Sequence, residues 1–212
     1  MPPRPRRILV AGTAGGVGTT TVAALLLGRF ARTGHAPVAV DRTAGELLRR
    51  GAGRPQAEDR RFRLHDLGRN ADAALGELKA PGGLGVLVTA DTEVGVELAL
   101  AAVHRNGSRS GAPAGTADRV VIVLAEVFGP SRLRQPVIST LRGAPGVRGV
   151  VRFRHDDALA AGESINTERL SRGTTNAVGE LAAQLGAGRQ GWSMAPRAKR
   201  QPSPPMDWSQ EN

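Results

Sequence analysis

Gly12-Thr13-Ala14-Gly15-Gly16-Val17-Gly18-Thr19-Thr20-Thr21 is the stretch on which the reading of this chain turns. It follows a short apolar run, Ile8 to Gly12, that has the form of a buried strand. It leads into Thr19 to Thr33, where Val22, Leu25, Leu26 and Phe30 recur at helical spacing. A glycine-rich connection between strand and helix is the setting a phosphate-binding loop requires. Glycines let backbone N–H groups turn inward around phosphate oxygens, and the helix start adds its positive end. The candidate phosphate-binding residues are Gly15, Gly16, Val17, Gly18, Thr19, Thr20 and Thr21, with the Thr20 hydroxyl placed where Ser or Thr would hold Mg²⁺. The same glycines would also serve a plain turn in which helix packs closely on sheet.

Outward from the loop, short apolar runs alternate with helical patterns. Pro37 to Val40 reads as a second strand, ending at Asp41, and Arg61 to Leu67 as a third. The third run alternates as Arg61-Phe62-Arg63-Leu64-His65, which predicts a half-exposed strand away from the centre of a sheet. Asn70 to Lys79 is helical, stopped by Pro81-Gly82-Gly83; Leu84 to Thr89 is a strand and Thr92 to Arg105 a helix. Asn106 to Ala117 has loop composition, and Arg119 to Ala125 is a fully apolar strand. A helix over Ser131 to Arg142, a strand over Val147 to Phe153 and a helix over Thr174 to Leu185 complete the pattern. Such alternation predicts an α/β fold, a doubly wound, mostly parallel sheet with helices on both faces. One domain over residues 1–187 is expected, followed by a disordered tail over 188–212 of Gly, Arg, Pro, Ser and Gln. Trp192 and Trp208 in that tail are either incidental or a short partner-binding motif.

Composition narrows the function classes. The 212 residues are 40% hydrophobic but only 3% aromatic, so Val, Leu, Ala and Ile must build the core, as in parallel strands covered by helices. The absence of cysteine excludes disulfides and thiolate metal sites. A net charge of +10 invites nucleic acid or an anionic surface, yet it is carried almost wholly by arginine, a skew that a GC-rich genome also produces. Arg4, Arg6 and Arg7 ahead of an apolar run imitate a secretion signal, but the glycines that follow interrupt it. No transmembrane segment is expected, and the cytoplasm is the expected location. His35, His65, His104 and His155 are scattered without metal-ligand spacing and read as surface residues. No Ser/His/Asp arrangement emerges.

The loop resembles the deviant phosphate loop (P-loop) of the MinD/ParA ATPases, K-G-G-x-G-K-[ST]-[ST]. Here Ala14-Gly15-Gly16-Val17-Gly18-Thr19-Thr20-Thr21 keeps every glycine and both final hydroxyl residues but neither lysine. Ala14 stands in place of the lysine that reaches across the family's dimer, and Thr19 in place of the lysine on the β/γ-phosphates. Further segments follow in the family's order over residues 6–186. Val38-Ala39-Val40-Asp41 is similar to the strand ending in D-x-D, with Thr43 in place of the second aspartate. Leu64-His65-Asp66-Leu67-Gly68 is similar to a Walker-B strand. Leu87-Val88-Thr89-Ala90-Asp91 resembles the V-T-x-P strand, and Phe153 to Gly162 the P-Y-D-x-x-L-A-x-G segment, with Arg154 for its proline.

The resemblance implies a P-loop NTPase fold, ATP or ADP with Mg²⁺ as cofactor, catalytic carboxylates at Asp41 and Asp66, and Mg²⁺ at Thr20 and Asp66. It implies a protein partner, a homodimer and nonspecific DNA as binding partners, and roles in positioning, partitioning or regulation. The missing lysines argue against efficient hydrolysis. A cation on the phosphates offsets charge that develops during phosphoryl transfer, and a charge-assisted contact there contributes roughly 1.5–3 kcal/mol. Arg42, beside Asp41, is the candidate substitute, though no spacing argument selects it. The short link from Thr43 to Arg60, where the family places switch and dimer elements, is a second sign of altered chemistry. The pilus-localising CpaE/TadZ-like proteins share altered loop lysines but usually carry an N-terminal receiver-like domain.

Two alternatives stand beside this reading. Gly12-Thr13 with Val17-Gly18-Thr19-Thr20 also resembles the G-T-x-x-x-V-G-K-T loop of dethiobiotin synthetase, again without the lysine. Arg49, Arg50, Arg54, Arg60, Arg61 and Arg63, with Arg197, Lys199 and Arg200 in the tail, suit a nonspecific DNA-binding module if they gather on one face.

Overall fold

The computed structural model describes residues 6–34, 36–51, 59–78, 82–108, 119–127, 129, 133–160, 162 and 164–186. Six strands form one sheet, β1 (Arg6–Gly12), β2 (Pro37–Asp41), β3 (Asp59–Asp66), β4 (Gly83–Ala90), β5 (Val120–Ala125) and β6 (Val147–Phe153). Their spatial order is β2-β3-β1-β4-β5-β6, and every neighbouring pair is parallel. Helices α1 (Thr19–Arg32), α2 (Glu46–Arg50), α3 (Ala71–Glu77), α4 (Glu93–Ser108), α5 (Gln135–Gly143), α6 (Asp157–Ala160) and α7 (Arg172–Gln184) connect and cover the strands.

Alternating side chains of each strand feed two separate cores. Ile8 and Val10 of β1 face a core with Leu26 and Phe30 of α1 and Val178 and Leu181 of α7. Leu9 and Ala11 face the opposite core, with Leu75 of α3, Ala99 and Val103 of α4, and Ile138 of α5. A parallel strand covered on both faces has no solvent side, which is why β5 reads Val-Val-Ile-Val-Leu-Ala and is buried throughout. The doubly wound α/β expectation therefore holds, and the described sheet is wholly rather than mostly parallel.

β3 departs from expectation. It lies inside the sheet, between β2 and β1, with Phe62, Leu64, His65 and Asp66 all buried and only Arg63 exposed among residues 62 to 66. Phe62 and Leu64 face α1, where Phe62 meets Phe30 edge to face with ring centroids 5.0 Å apart. The alternation was therefore real: on the second face Arg63 is exposed, but His65 is buried, within reach of the charges of Arg42 and Glu77. His65 is accordingly buried rather than a surface histidine, and both ring nitrogens lack a hydrogen-bond partner. Two short helices, α2 and α6, had no sequence signal. α4 continues through Ser108, past the residue where loop composition begins, and α5 starts at Gln135. Arg54, Trp192, Trp208 and the whole tail from 188 to 212 lie outside the described residues.

Candidate functional site

All six strands point their C-terminal ends the same way. The chain runs outward from β1 to β2 on one side and to β4, β5 and β6 on the other. This reversal of strand order is where open α/β sheets leave a crevice for ligands. The loop after β1 occupies it.

The loop is fixed at its root. Gly12 N–H donates to the Gly68 carbonyl at 2.7 Å and Thr13 N–H to the Val88 carbonyl at 2.9 Å. The Thr13 hydroxyl donates to Thr89 Oγ1 at 2.8 Å, and the Thr89 hydroxyl donates in turn to the Gly95 carbonyl at 2.8 Å. A Cβ at Gly12 would collide with the Thr19 hydroxyl and stand 2.9 Å from Cγ2 of Val17, so the loop packs directly over that glycine. Gly18 precedes α1 with φ +85°, a left-handed conformation that favours glycine, and supplies no side-chain cap. The first turn of α1 also carries no acidic residue. Its leading N–H groups are left to an external acceptor, the arrangement that suits a phosphate.

These residues line a cleft of about 680 Å³. Ala14 to Val22 form one wall, Arg50 and Glu46 of α2 another, and Arg154, His155 and Asp156 beyond β6 a third. Gly15, Gly16, Val17, Gly18, Thr19, Thr20 and Thr21 are thus together in one wall, with Ala14, Gly15 and Gly16 exposed and Val17 and Thr19 buried.

Asp66, at the end of β3, is completely buried behind that wall. Its Oδ1 accepts from Gly68 N–H at 3.0 Å, while Oδ2 is buried with no fully formed hydrogen bond. Burial pushes its pKa up, and the carboxylates of Asp41 and Glu46 add to this; the Gly68 amide and the Thr20 hydroxyl act in the opposite direction without prevailing. A buried carboxylate oxygen without a partner, facing a threonine hydroxyl, fits a hard divalent cation, which takes oxygen donors and would relieve the buried charge. No cluster of three or more metal-ligating side chains occurs among the described residues. A Mg²⁺ ion would then depend on Thr20, Asp66 and the ligand's own oxygens.

Asp41 is placed differently. Its Oδ1 accepts from the amide and the hydroxyl of Thr43, and its Oδ2 from the amides of Leu47 and Leu48 at 2.9 and 3.4 Å. Burial works against its ionisation, but the hydrogen bonds from Thr43, Leu48 and Leu47 outweigh this and hold the pKa below the usual range. Its carboxylate organises the turn that begins α2 and is not in the cleft lining.

The arginines separate into distinct roles. Arg42 donates to Glu77 at 2.8 Å and is absent from the cleft lining, so it does not stand in for a loop lysine. Arg49 pairs with Glu46 at 3.6 Å, and Arg152 donates through Nε and Nη2 to Asp91 Oδ2 at 3.0 and 2.8 Å. Arg50, Arg69 and Arg154 line the cleft itself. Arg50 is the residue that sequence reasoning missed in this role. It appeared only within an arginine run, and no local spacing ties it to a loop 29 positions earlier. Among the described residues no helix is long and apolar enough to cross a membrane.

No family model matches the chain, and no curated protein matches it in sequence. Solved structures do match. The cell division ATPase MinD of Pyrococcus furiosus is 16% identical with a TM-score of 0.57, covering 85% of this chain and 98% of that one. A putative plasmid partition protein from Borrelia burgdorferi B31 bound to AMPPNP is 10% identical with a TM-score of 0.57, covering 86% and 100%. A ParA family ATPase from Chlorobium tepidum TLS is 16% identical with a TM-score of 0.54, covering 83% and 97%. With its parallel sheet and its loop at the crevice, the chain has the P-loop fold of the MinD and ParA ATPases.

Proposed function

We propose that this chain binds ATP or ADP with Mg²⁺ in the cleft beside α1, hydrolyses ATP slowly or not at all, and acts in positioning, partitioning or regulation through protein partners. The observation that carries the reading is a pairing at one wall: an α1 start with no side-chain cap, and behind it the unpartnered buried oxygen of Asp66. A cleft of about 680 Å³ lies within the range of ligand pockets. Backbone N–H groups of Gly15 to Thr21 would bind the phosphates; Thr20 and Asp66 would hold the metal. When bound, Mg²⁺ supplies charge neutralisation on the phosphates. Asp41 fixes the turn into α2 and so sets the second wall.

Slow turnover follows from the loop's side chains. Neither Ala14 nor Thr19 carries a cation, so the loop itself places no charge against the transferring phosphoryl group. A cation that only binds the phosphate chain from elsewhere does not supply that stabilisation. Partners and a cytoplasmic location are part of the same proposal, as is a homodimer formed without the lysine at position 14. Calorimetric titration with ATP and ADP, with and without Mg²⁺, beside a phosphate-release assay, tests it. Micromolar, Mg²⁺-dependent binding with release near background is expected. No binding up to millimolar nucleotide would overturn the reading.

A further inference from the structure

Charge in the cleft is distributed unevenly between the acids and the bases. Of the acidic side chains lining it, Glu46 pairs with Arg49, and Glu126 accepts from the His155 amide at 3.3 Å. Asp156 accepts from the amides of Ala158 and Ser171 at 3.0 and 2.9 Å and from the Thr174 hydroxyl at 2.6 Å. Each acid is therefore engaged within the protein. Arg50, which also lines the cleft, pairs with no carboxylate among the described residues.

Arg50 is held in position by polar contacts. Its Nη1 donates to the Thr21 hydroxyl at 2.6 Å, the third hydroxyl of the loop's threonine run. Its carbonyl accepts from Ile165 N–H at 3.0 Å. Gly162, with φ +72°, lies at ordinary contact range, where a Cβ would stand 3.7 Å from Nη2. The guanidinium is half-buried between α1 and the segment after α6, with its charge delivered to the start of α1. A planar fork with five donors can keep Thr21 through one nitrogen and offer the others to phosphate oxygens, which a lysine ammonium cannot do as well.

We propose that Arg50, reaching in from α2, is the cation that binds the phosphate chain in place of the lysines missing at positions 14 and 19. This rests on the nucleotide reading above and names the residue that makes it workable. The ligand class is a nucleoside di- or triphosphate, with recognition scaling with phosphate charge. Because the cation belongs to α2, whose start is fixed by Asp41, loading of the cleft is tied to the α2 turn.

Calorimetry with ATP, ADP and adenosine tests the proposal on three proteins: wild type, Arg50→Gln and Arg49→Ala. Arg50→Gln loses the charge and, with a shorter side chain, the Thr21 contact as well, so adenosine binding reports whether the cleft is otherwise intact. Affinity for ATP and ADP should fall about tenfold to a hundredfold, the loss of a charge-assisted contact, with adenosine binding unmoved. Arg49→Ala should change none of these by more than about twofold, since its ion pair is a surface one. Adding Thr19→Lys to Arg50→Gln should return most of the lost affinity. If Arg50→Gln binds ATP as tightly as wild type, the proposal for Arg50 fails while the nucleotide reading stands. If wild type itself binds no nucleotide, both fail.

Discussion

The amide and the hydroxyl of Thr43 both donate to the same oxygen of Asp41, each at 2.6 Å. With the Leu47 and Leu48 amides on the other oxygen, this one carboxylate closes the turn from β2 into α2. Asp41→Ala should therefore destabilise the protein by about 1–2 kcal/mol, the usual cost of a lost helix cap with partly buried donors. The urea midpoint reports it. Because its folded pKa is lowered from 3.8, the stabilisation is present above the unfolded value and lost as pH falls through the folded one. The variant's acid limb should be correspondingly shallower.

Asp66 behaves in the opposite sense. Its folded pKa is raised, so stability is highest when the group is protonated and falls as pH rises from 3.8 through the folded value. Asp66→Asn should raise the melting temperature of the ligand-free protein at neutral pH by about 2–4 °C, equivalent to roughly 1 kcal/mol at this size. The same change should remove the Mg²⁺ dependence of nucleotide binding. A lower melting temperature, with Mg²⁺ dependence intact, would contradict the assignment.

His65 gives a second pH dependence. Burial lowers its pKa from 6.5, the positive charges of Arg42, Arg7 and Arg63 act in the same direction, and Glu77 opposes them. The unfolded chain then binds the proton before the native one does. Stability is full above the ordinary histidine value and declines as pH falls below it towards the folded pKa. In His65→Leu, unfolding free energy between about pH 7 and 5 should vary less than in wild type.

Gly18→Val tests the start of α1. At φ +85° a β-branched residue is strained, and a cost of about 1–3 kcal/mol is expected at a position with open space around it. The strain falls on the backbone that presents the first N–H groups, so nucleotide affinity should drop by more than stability alone explains. Differential scanning fluorimetry with and without ATP separates the two effects. The variant should lose the ligand-induced shift.

The regular parts of the fold were legible because their causes are local. β1, β4 and β5 announce themselves as apolar runs buried on both faces, and α1 by the spacing of its apolar residues. β3 was misjudged because periodicity records which side chains differ, not what covers them. Arg42 attracted attention by standing next to Asp41, yet neighbours on an extended segment point to opposite faces, and Arg42 went to Glu77 on α3. Arg50 stayed hidden for the converse reason. Its helix of five residues has no period to read, its start is capped by a residue from another element, and its contact with Thr21 exists only in the folded chain. The loop's backbone could be read from its glycines, whereas the wall facing it could not.

β2 and β6 end the sheet, and among the described residues no further strand pairs with either. An unfinished edge of a parallel sheet is an invitation to another chain, and β6 is the longer of the two and has more buried positions. It carries Arg148, exposed at an irregularity in its pairing with β5, and Arg152, half-exposed and paired with Asp91. A second β6 laid alongside would meet the exposed Arg148 charge and the irregular register around it, so strand-to-strand growth is discouraged. Copies of this protein at high concentration should stay dispersed or meet through helices, rather than lengthen one another's sheets into fibres.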